Sequence, residues 1–354
     1  MEIRDIVRQF AIEGELVTAE TNHEGHINGT YICTFSDGAM YTVQQINRTV
    51  FVHPEQVMEN IELVTSHIRS RLTGTADMDR RCLTVIRTKE GNLCFKDDTG
   101  EYWRVYRYIS NARTFSTITE PKEVYLLGSA IGRFQNQLSD FDGRKLHITI
   151  PNFHNMRFRY EQLAQAYKAD PKDRVREVTD DLDFLMDNRK RGCAIWDGME
   201  RGTYPTRVTH NDTKMNNVLF SEDGSEALCV IDLDTVMPGT ILFDTGDMIR
   251  TATNTAVEDE QDLSKVSCDV RLYHALMDGY LSQADPFLTD EEFDALAESG
   301  KTITQIMAVR FLTDYLAGDV YYHIDRPGQN LDRARTQIAL MRSMDRQWDD
   351  LLHL

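Results

Sequence analysis

No stretch of this sequence approaches the roughly eighteen consecutive apolar residues that a membrane span requires. MEIRDIVRQFAIEG reads as a short amphipathic helix and not as a signal peptide, because Arg4 and Asp5 interrupt the apolar segment and no small-residue cleavage site follows. None of the six cysteines (Cys33, Cys82, Cys94, Cys193, Cys229, Cys268) forms a CxxC pair. Several sit in apolar runs such as LCF and CVIDL, where a thiol acts as a small hydrophobe. That argues against a zinc site and for reduced thiols in a cytoplasmic protein. Positive charge is the scarce sign: 39 basic residues stand against 57 acidic ones, a formal −18. Such a surface repels nucleic acid and, at long range, nucleotides as well. A site for a phosphorylated ligand must then be neutralised locally, most simply by a divalent cation. Neither nucleic acid, membrane nor an obligate protein partner is expected.

The 354 residues exceed one small core, so about two domains are expected. ELVTAET, INGTYICTF and MYTVQQI are short, β-branched or aromatic, and separated by turn formers. A helix is predicted near 54–72, with Val57, Ile61, Val64 and Ile68 at helical spacing behind Pro54. LTVIRT, NLCFKDD and EYWRVYRYI are further strands, the last two joined by a DDTG turn. From about Pro121 helical periodicity dominates, broken by VLF, a DG turn and EALCVIDLD, which together read as a β-hairpin. The fold expected is α+β, with a β-rich N-lobe over 1–108 on the nucleotide side and a mainly helical C-lobe over 109–354.

The chemistry gathers at that hairpin. RVTHNDTKMNNVLF enters it and IDLD leaves it, so Asp212, Asn217 and Asp232 are expected to come together. One carboxylate for a substrate hydroxyl, with an amide and a second carboxylate for a hard cation, is what phosphoryl transfer needs. Lys214, two residues after Asp212, is suited to a γ-phosphate oxygen. The alternative is a polar loop in which Asp212 and Asn217 cap turns and Lys214 is solvated. His210-x-Asp212 with Asn217 five residues on, then Asp232, resembles the protein-kinase catalytic loop and metal-binding Asp. The glycine-rich GxGxxG loop and the VAIK, DFG and APE segments are missing. GKT at 300–302 lacks the earlier glycine of a P-loop and follows a helical segment, so it is set aside.

IDLDTVMPG and FDTGDMIR make the sequence similar to the aminoglycoside phosphotransferase and choline kinase superfamily, which phosphorylates small molecules on a bilobal, protein-kinase-like fold. In that superfamily the acidic stretch mainly braces the catalytic loop, which implies a structural role for Asp244, Asp247 and Arg250. EGHINGTY, YTVQQIN, WRVYRYI, GRFQNQLSDFD and RFLTDYLAGDVYY narrow the resemblance to the N-acetylhexosamine 1-kinases. It implies ATP and Mg2+ as cofactors and phosphorylation of the anomeric hydroxyl of GlcNAc or GalNAc. By position it makes Asp212 the catalytic carboxylate, Asn217 and Asp232 the magnesium ligands, and His26, Arg310 and Tyr321 the sugar contacts. Forked donors and mixed donor–acceptors suit a sugar. The bland readings are an Arg310 salt bridge to Asp314 or Asp319, a packed Tyr321 and a loop His26. YTVQQIN departs from the wider kinase pattern: Gln44 and Gln45 stand where most kinases carry a phosphate-binding Lys. Glu59 or Glu62 of the following helix is the expected acceptor for one of these amides. Backbone groups of Arg107 and Ile109 are the candidates for adenine. The alternatives are a kinase for another hexose, an amino alcohol or an aminoglycoside, or an inactive kinase-like binding module.

Overall fold

Alternating side chains place the early segments in one antiparallel sheet in the computed structural model, which describes residues 1–22, 28–115 and 120–353. The strands are β1 (Leu16–Asn22), β2 (Gly29–Phe35), β3 (Met40–Ile46), β4 (Val85–Ile86), β5 (Phe95–Lys96) and β6 (Tyr102–Arg107). They lie in the order β1-β2-β3-β6-β4, with β5 also paired to β6. One face carries Cys33, Phe35, Tyr41, Val43, Trp103 and Val105 into a core with Ile6, Val7 and Phe10 of the N-terminal helix and its exit. Period-two alternation turns Gln44, Arg104 and Tyr106 to the other face. Helix Pro54–Arg71 buries Val57, Met58, Ile61, Val64 and Ile68, and Pro54 opens it. The predicted helix and hairpin turn are therefore present.

The chain separates into two units, the first made of Met1–Thr114, Gln137–Pro151 and Asn217–Pro238. A short β7 (Ala112–Arg113) follows the sheet, and β8 (Arg207–Thr209) belongs to the second unit. The chain then re-enters the first unit as the hairpin β9 (Val218–Ser221) and β10 (Ala227–Val230), against which β7 also pairs.

The second unit comprises Phe115–Asn136, Asn152–Asn216 and Gly239–Leu354, and is mainly helical. Helix Leu296–Ala317 is buried along most of its length and packs against Met156–Ala169, Ile241–Ala252 and Gln329–Arg346. Helices Pro121–Gln137 and Val270–Ala284 approach so closely that a Cβ on Gly128 would lie 2.1 Å from the Leu276 carbonyl oxygen, and one on Gly279 2.0 Å from that of Tyr125. Gly300, Lys301 and Thr302 fall inside helix Leu296–Ala317, with Lys301 buried and ion-paired to Asp345, so this GKT is core packing. Helix Leu296–Ala317 ends before Tyr321. Gly318 takes φ 101° and Asp319 φ 61°, and this left-handed pair stops it after Ala317. An antiparallel sheet with its helix and a helical second unit make up the α+β class expected.

Candidate active site

In the first unit the hairpin brings the two candidate cation ligands together. Val218 pairs with Val230, and the Ile231 amide donates to the Asn217 carbonyl at 2.9 Å, so Asn217 and Asp232 stand at the same end of β9 and β10. Asn217 is buried, and Asp232 is exposed in a left-handed conformation, φ 59° and ψ 54°. Asp tolerates this region better than most side chains. An amide and a carboxylate oxygen, with no thiolate or imidazole, fit magnesium, which keeps waters and phosphate oxygens in its shell. Among the described residues no group of three or more His, Cys, Asp and Glu forms a self-contained metal cage.

Asp212 lies in the second unit, in the loop after β8, and the backbone around it is heavily braced. The buried Asp244 carboxylate accepts from the amides of His210 (3.0 Å) and Asn211 (2.7 Å) and from Gln135 Nε2 (3.0 Å). Thr213 Oγ1 donates to the Asp244 carbonyl at 2.6 Å. The Asp212 amide donates to His210 Nδ1 at 3.2 Å. Burial pushes the Asp244 carboxyl above its ordinary range, and these donors together with His210 oppose the shift. Asp247 forms a buried pair with Arg250 at 2.9 Å. Asp244 thus braces the loop as expected, while Asp247 and Arg250 are engaged with each other. The Asp212 carboxylate is partly exposed, and Lys214 Nζ lies 3.0 Å from it.

Sequence reasoning missed His154. Its Nε2 donates to the Asn211 carbonyl at 3.1 Å, and its ring lies 4.6 Å from Phe153 and 4.9 Å from Phe243. Since Nε2 carries the proton, Nδ1 is an acceptor, buried and without a partner among the described residues. Burial first, and Arg310 second, push the imidazole down to about 3. Below pH ~6.5 the unfolded chain takes a proton that the native imidazole refuses, so His154 lowers stability as pH falls from ~6.5 towards its native value. We expect His154→Gln to lose about 1–2 kcal/mol less than the parent between pH 7 and pH 5 in urea denaturation. Parallel pH slopes for the two proteins would reject this assignment.

Arg310, on helix Leu296–Ala317, faces three rings: Phe153 at 5.5 Å, Tyr322 at 5.4 Å and Tyr321 at 5.9 Å. The alternative salt bridges are not made. Asp314 accepts instead from the amides of Val320 (2.9 Å), Tyr321 (2.8 Å) and Tyr322 (2.9 Å), and Asp319 pairs with Arg174 at 2.6 Å. Among the described residues Arg310 has no carboxylate partner. Asp314 thereby sets both tyrosines beneath the guanidinium, with Tyr321 exposed and Tyr322 half-buried. Arg159 is a second cation here that no motif signalled. It donates to the Phe153 carbonyl at 2.8 Å, and burial and Arg310 push it down to about 10. His26 lies outside the described residues.

On the sheet of the first unit, Gln44 donates to Thr30 Oγ1 (3.0 Å) and accepts from Arg104 Nε (3.0 Å). Gln45 donates to Glu101 at 3.2 Å. Neither reaches the helix acids expected to receive them: Glu59 pairs with His147 at 2.6 Å, and Glu62 pairs with Arg87. The Arg107 amide is bonded to the Thr84 carbonyl at 2.9 Å, which holds the end of β6 to the neighbouring strand. Ile109 is buried just beyond it. All six cysteines are free, and burial raises the Cys33 thiol to about 11 and Cys82 to about 12. Among the described residues no helix is long and apolar enough to cross a membrane.

The backbone is similar to that of an aminoglycoside phosphotransferase from Alicyclobacillus acidocaldarius subsp. acidocaldarius DSM 446, at 12% identity and a TM-score of 0.67, covering 99% of this chain and 97% of that one. A microcompartment-associated aminopropanol kinase matches at 12% identity and TM-score 0.60, covering 99% and 98%. A spectinomycin phosphotransferase, solved with ADP and spectinomycin, matches at 13% identity and TM-score 0.59, covering 99% and 98%. These likenesses carry the kinase-like fold, with its antiparallel sheet lobe and helical lobe. The sequence itself matches the phosphotransferase enzyme family over residues 42–286, a span running from β3 through the hairpin and past the Asp244 brace. Because that match covers well over half of the chain, the protein belongs to the phosphotransferase enzyme family.

Proposed function

We propose that the chain is an N-acetylhexosamine 1-kinase, transferring the γ-phosphoryl of ATP to the anomeric oxygen of GlcNAc or GalNAc. The observation that carries this reading is Arg310, a forked donor over Phe153, Tyr321 and Tyr322 with no carboxylate partner among the described residues. An uncharged polyol with an acetamide group accepts from such a fork and lies against rings, whereas a cationic aminoglycoside or amino alcohol meets like charge. The sequence blocks shared with the N-acetylhexosamine 1-kinases support the same substrate.

Asp212 receives or orients the O1 proton as O1 attacks the γ-phosphorus, and the bond to the ADP oxygen breaks in line. The anomeric hydroxyl is more acidic than an ordinary alcohol, so positioning carries much of the effect. Lys214 neutralises a phosphate oxygen, and Asn217 and Asp232 would hold Mg2+. The ion, when bound, offsets phosphate charge that the acidic surface cannot. Gln44 and the backbone at Arg107 and Ile109 form the nucleotide side, with Ile109 the better placed donor since the Arg107 amide is already engaged. The test is a panel of sugars, amino alcohols and aminoglycosides with ATP and Mg2+, read by ADP release and phosphorus NMR. GlcNAc or GalNAc phosphorylated at C1 is expected. Phosphate at C6, or preference for an aminated acceptor, would overturn the assignment.

A further inference from the structure

Arg104 on β6 stands opposite Gln44 on β3 and is 1% exposed. A guanidinium so deeply buried is tolerable only if its donors are met. Nε donates to Gln44 Oε1 at 3.0 Å, Nη2 donates to Asp234 Oδ2 at 3.0 Å, and Nη1 is bonded to Asp234 Oδ1. Asp234 Oδ2 also accepts from Asn28 Nδ2 at 2.7 Å, and Asn28 Oδ1 accepts from the Asn47 amide at 2.9 Å. One closed polar network therefore joins two strands of the sheet to the turn Leu233–Thr235, which begins immediately after Asp232. Asp232 itself is exposed and left-handed, φ 59° and ψ 54°.

We propose that Arg104 is the positioning residue of the cation-binding turn: by gripping both oxygens of Asp234 it holds Asp232 in its left-handed conformation. This rests on the reading of Asp232 as a cation ligand. A partner of this kind orients a ligand without touching the ion, and its loss lowers metal affinity about 10–100-fold. The fork matters as well as the charge, because an ammonium cannot hold both carboxylate oxygens in one plane.

The probe is Mn2+, titrated by electron paramagnetic resonance in the presence of a non-hydrolysable ATP analogue. Three variants are compared with the parent: Asp232→Asn, Arg104→Lys, and the double change Arg104→Met with Asp234→Leu. The double variant replaces a buried ion pair by apolar neighbours and so avoids a stranded charge that would unfold the protein. Both Arg104 variants are expected to keep a cooperative thermal transition, to bind Mn2+ about 10–100-fold more weakly, and to lose kcat at unchanged sugar KM. Parent-like Mn2+ affinity in either of them overturns the proposal. If Asp232→Asn weakens Mn2+ and the Arg104 variants do not, only this inference falls. If Asp232→Asn also binds like the parent, the ligand assignment falls with it.

Discussion

Asp212→Asn is expected to fold normally and to lose phosphate transfer by about 10²–10⁴-fold. The change removes the carboxylate as a proton acceptor. The loop backbone is held by the Asp244 carboxylate on the His210 and Asn211 amides, by His210 Nδ1 on the Asp212 amide, and by His154 on the Asn211 carbonyl. None of these bonds uses the Asp212 carboxylate. Its pairing with Lys214 is lost, but both groups are partly exposed, and such pairs contribute little to stability. The measurement is ADP release with GlcNAc as acceptor, beside a thermal melt. Near-normal turnover in a protein melting like the parent would remove Asp212 from the chemistry.

Asp244→Ala is expected to destabilise the fold by about 3 kcal/mol or more, measured by urea denaturation. The side chain is wholly buried, and its removal strands two backbone amides and the Gln135 side-chain amide. A buried donor left without an acceptor costs about 1–3 kcal/mol. Gln135 is itself tied to Tyr280, whose hydroxyl donates to Gln135 Oε1 at 2.7 Å, so the gap cannot close by rotating one side chain. Asp244→Asn is expected to cost less, because its carbonyl oxygen still accepts. Equal losses in the two variants would mean that the charge and second acceptor oxygen, which both changes remove, are what Asp244 supplies, and a loss under about 1 kcal/mol for the alanine variant would refute the bracing role.

The segment RVTHNDTKMNNVLF is held in place residue by residue. Buried His210, Asn211 and Thr213 are engaged with the backbone or with Asp244 around a partly exposed Asp212, an arrangement that presents one carboxylate from a rigid frame. The hairpin was legible because its signals are local: alternation, a DG turn and alternation again. His154 and Arg159 were not, because nothing in their neighbouring residues marks them. Their environment comes from Phe243 and Arg310, far along the chain. The partners of Gln44 and Gln45 were not legible either, since Glu59 and Glu62 of the following helix are paired elsewhere.

The sequence by itself determined what short-range periodicity and residue chemistry can express. These are the α+β class, the helix behind Pro54, the hairpin carrying Asn217 and Asp232, and the absence of a strand lysine. Only the tertiary structure decided what Gln44 meets in that place. β3 and β6 are separated by a long stretch of chain, and their register sets Arg104 opposite Gln44 and on the face where Asp234 lies. A slip of one residue would turn Arg104 to the opposite face of the sheet. Register is a long-range outcome of packing, and no window of sequence contains it.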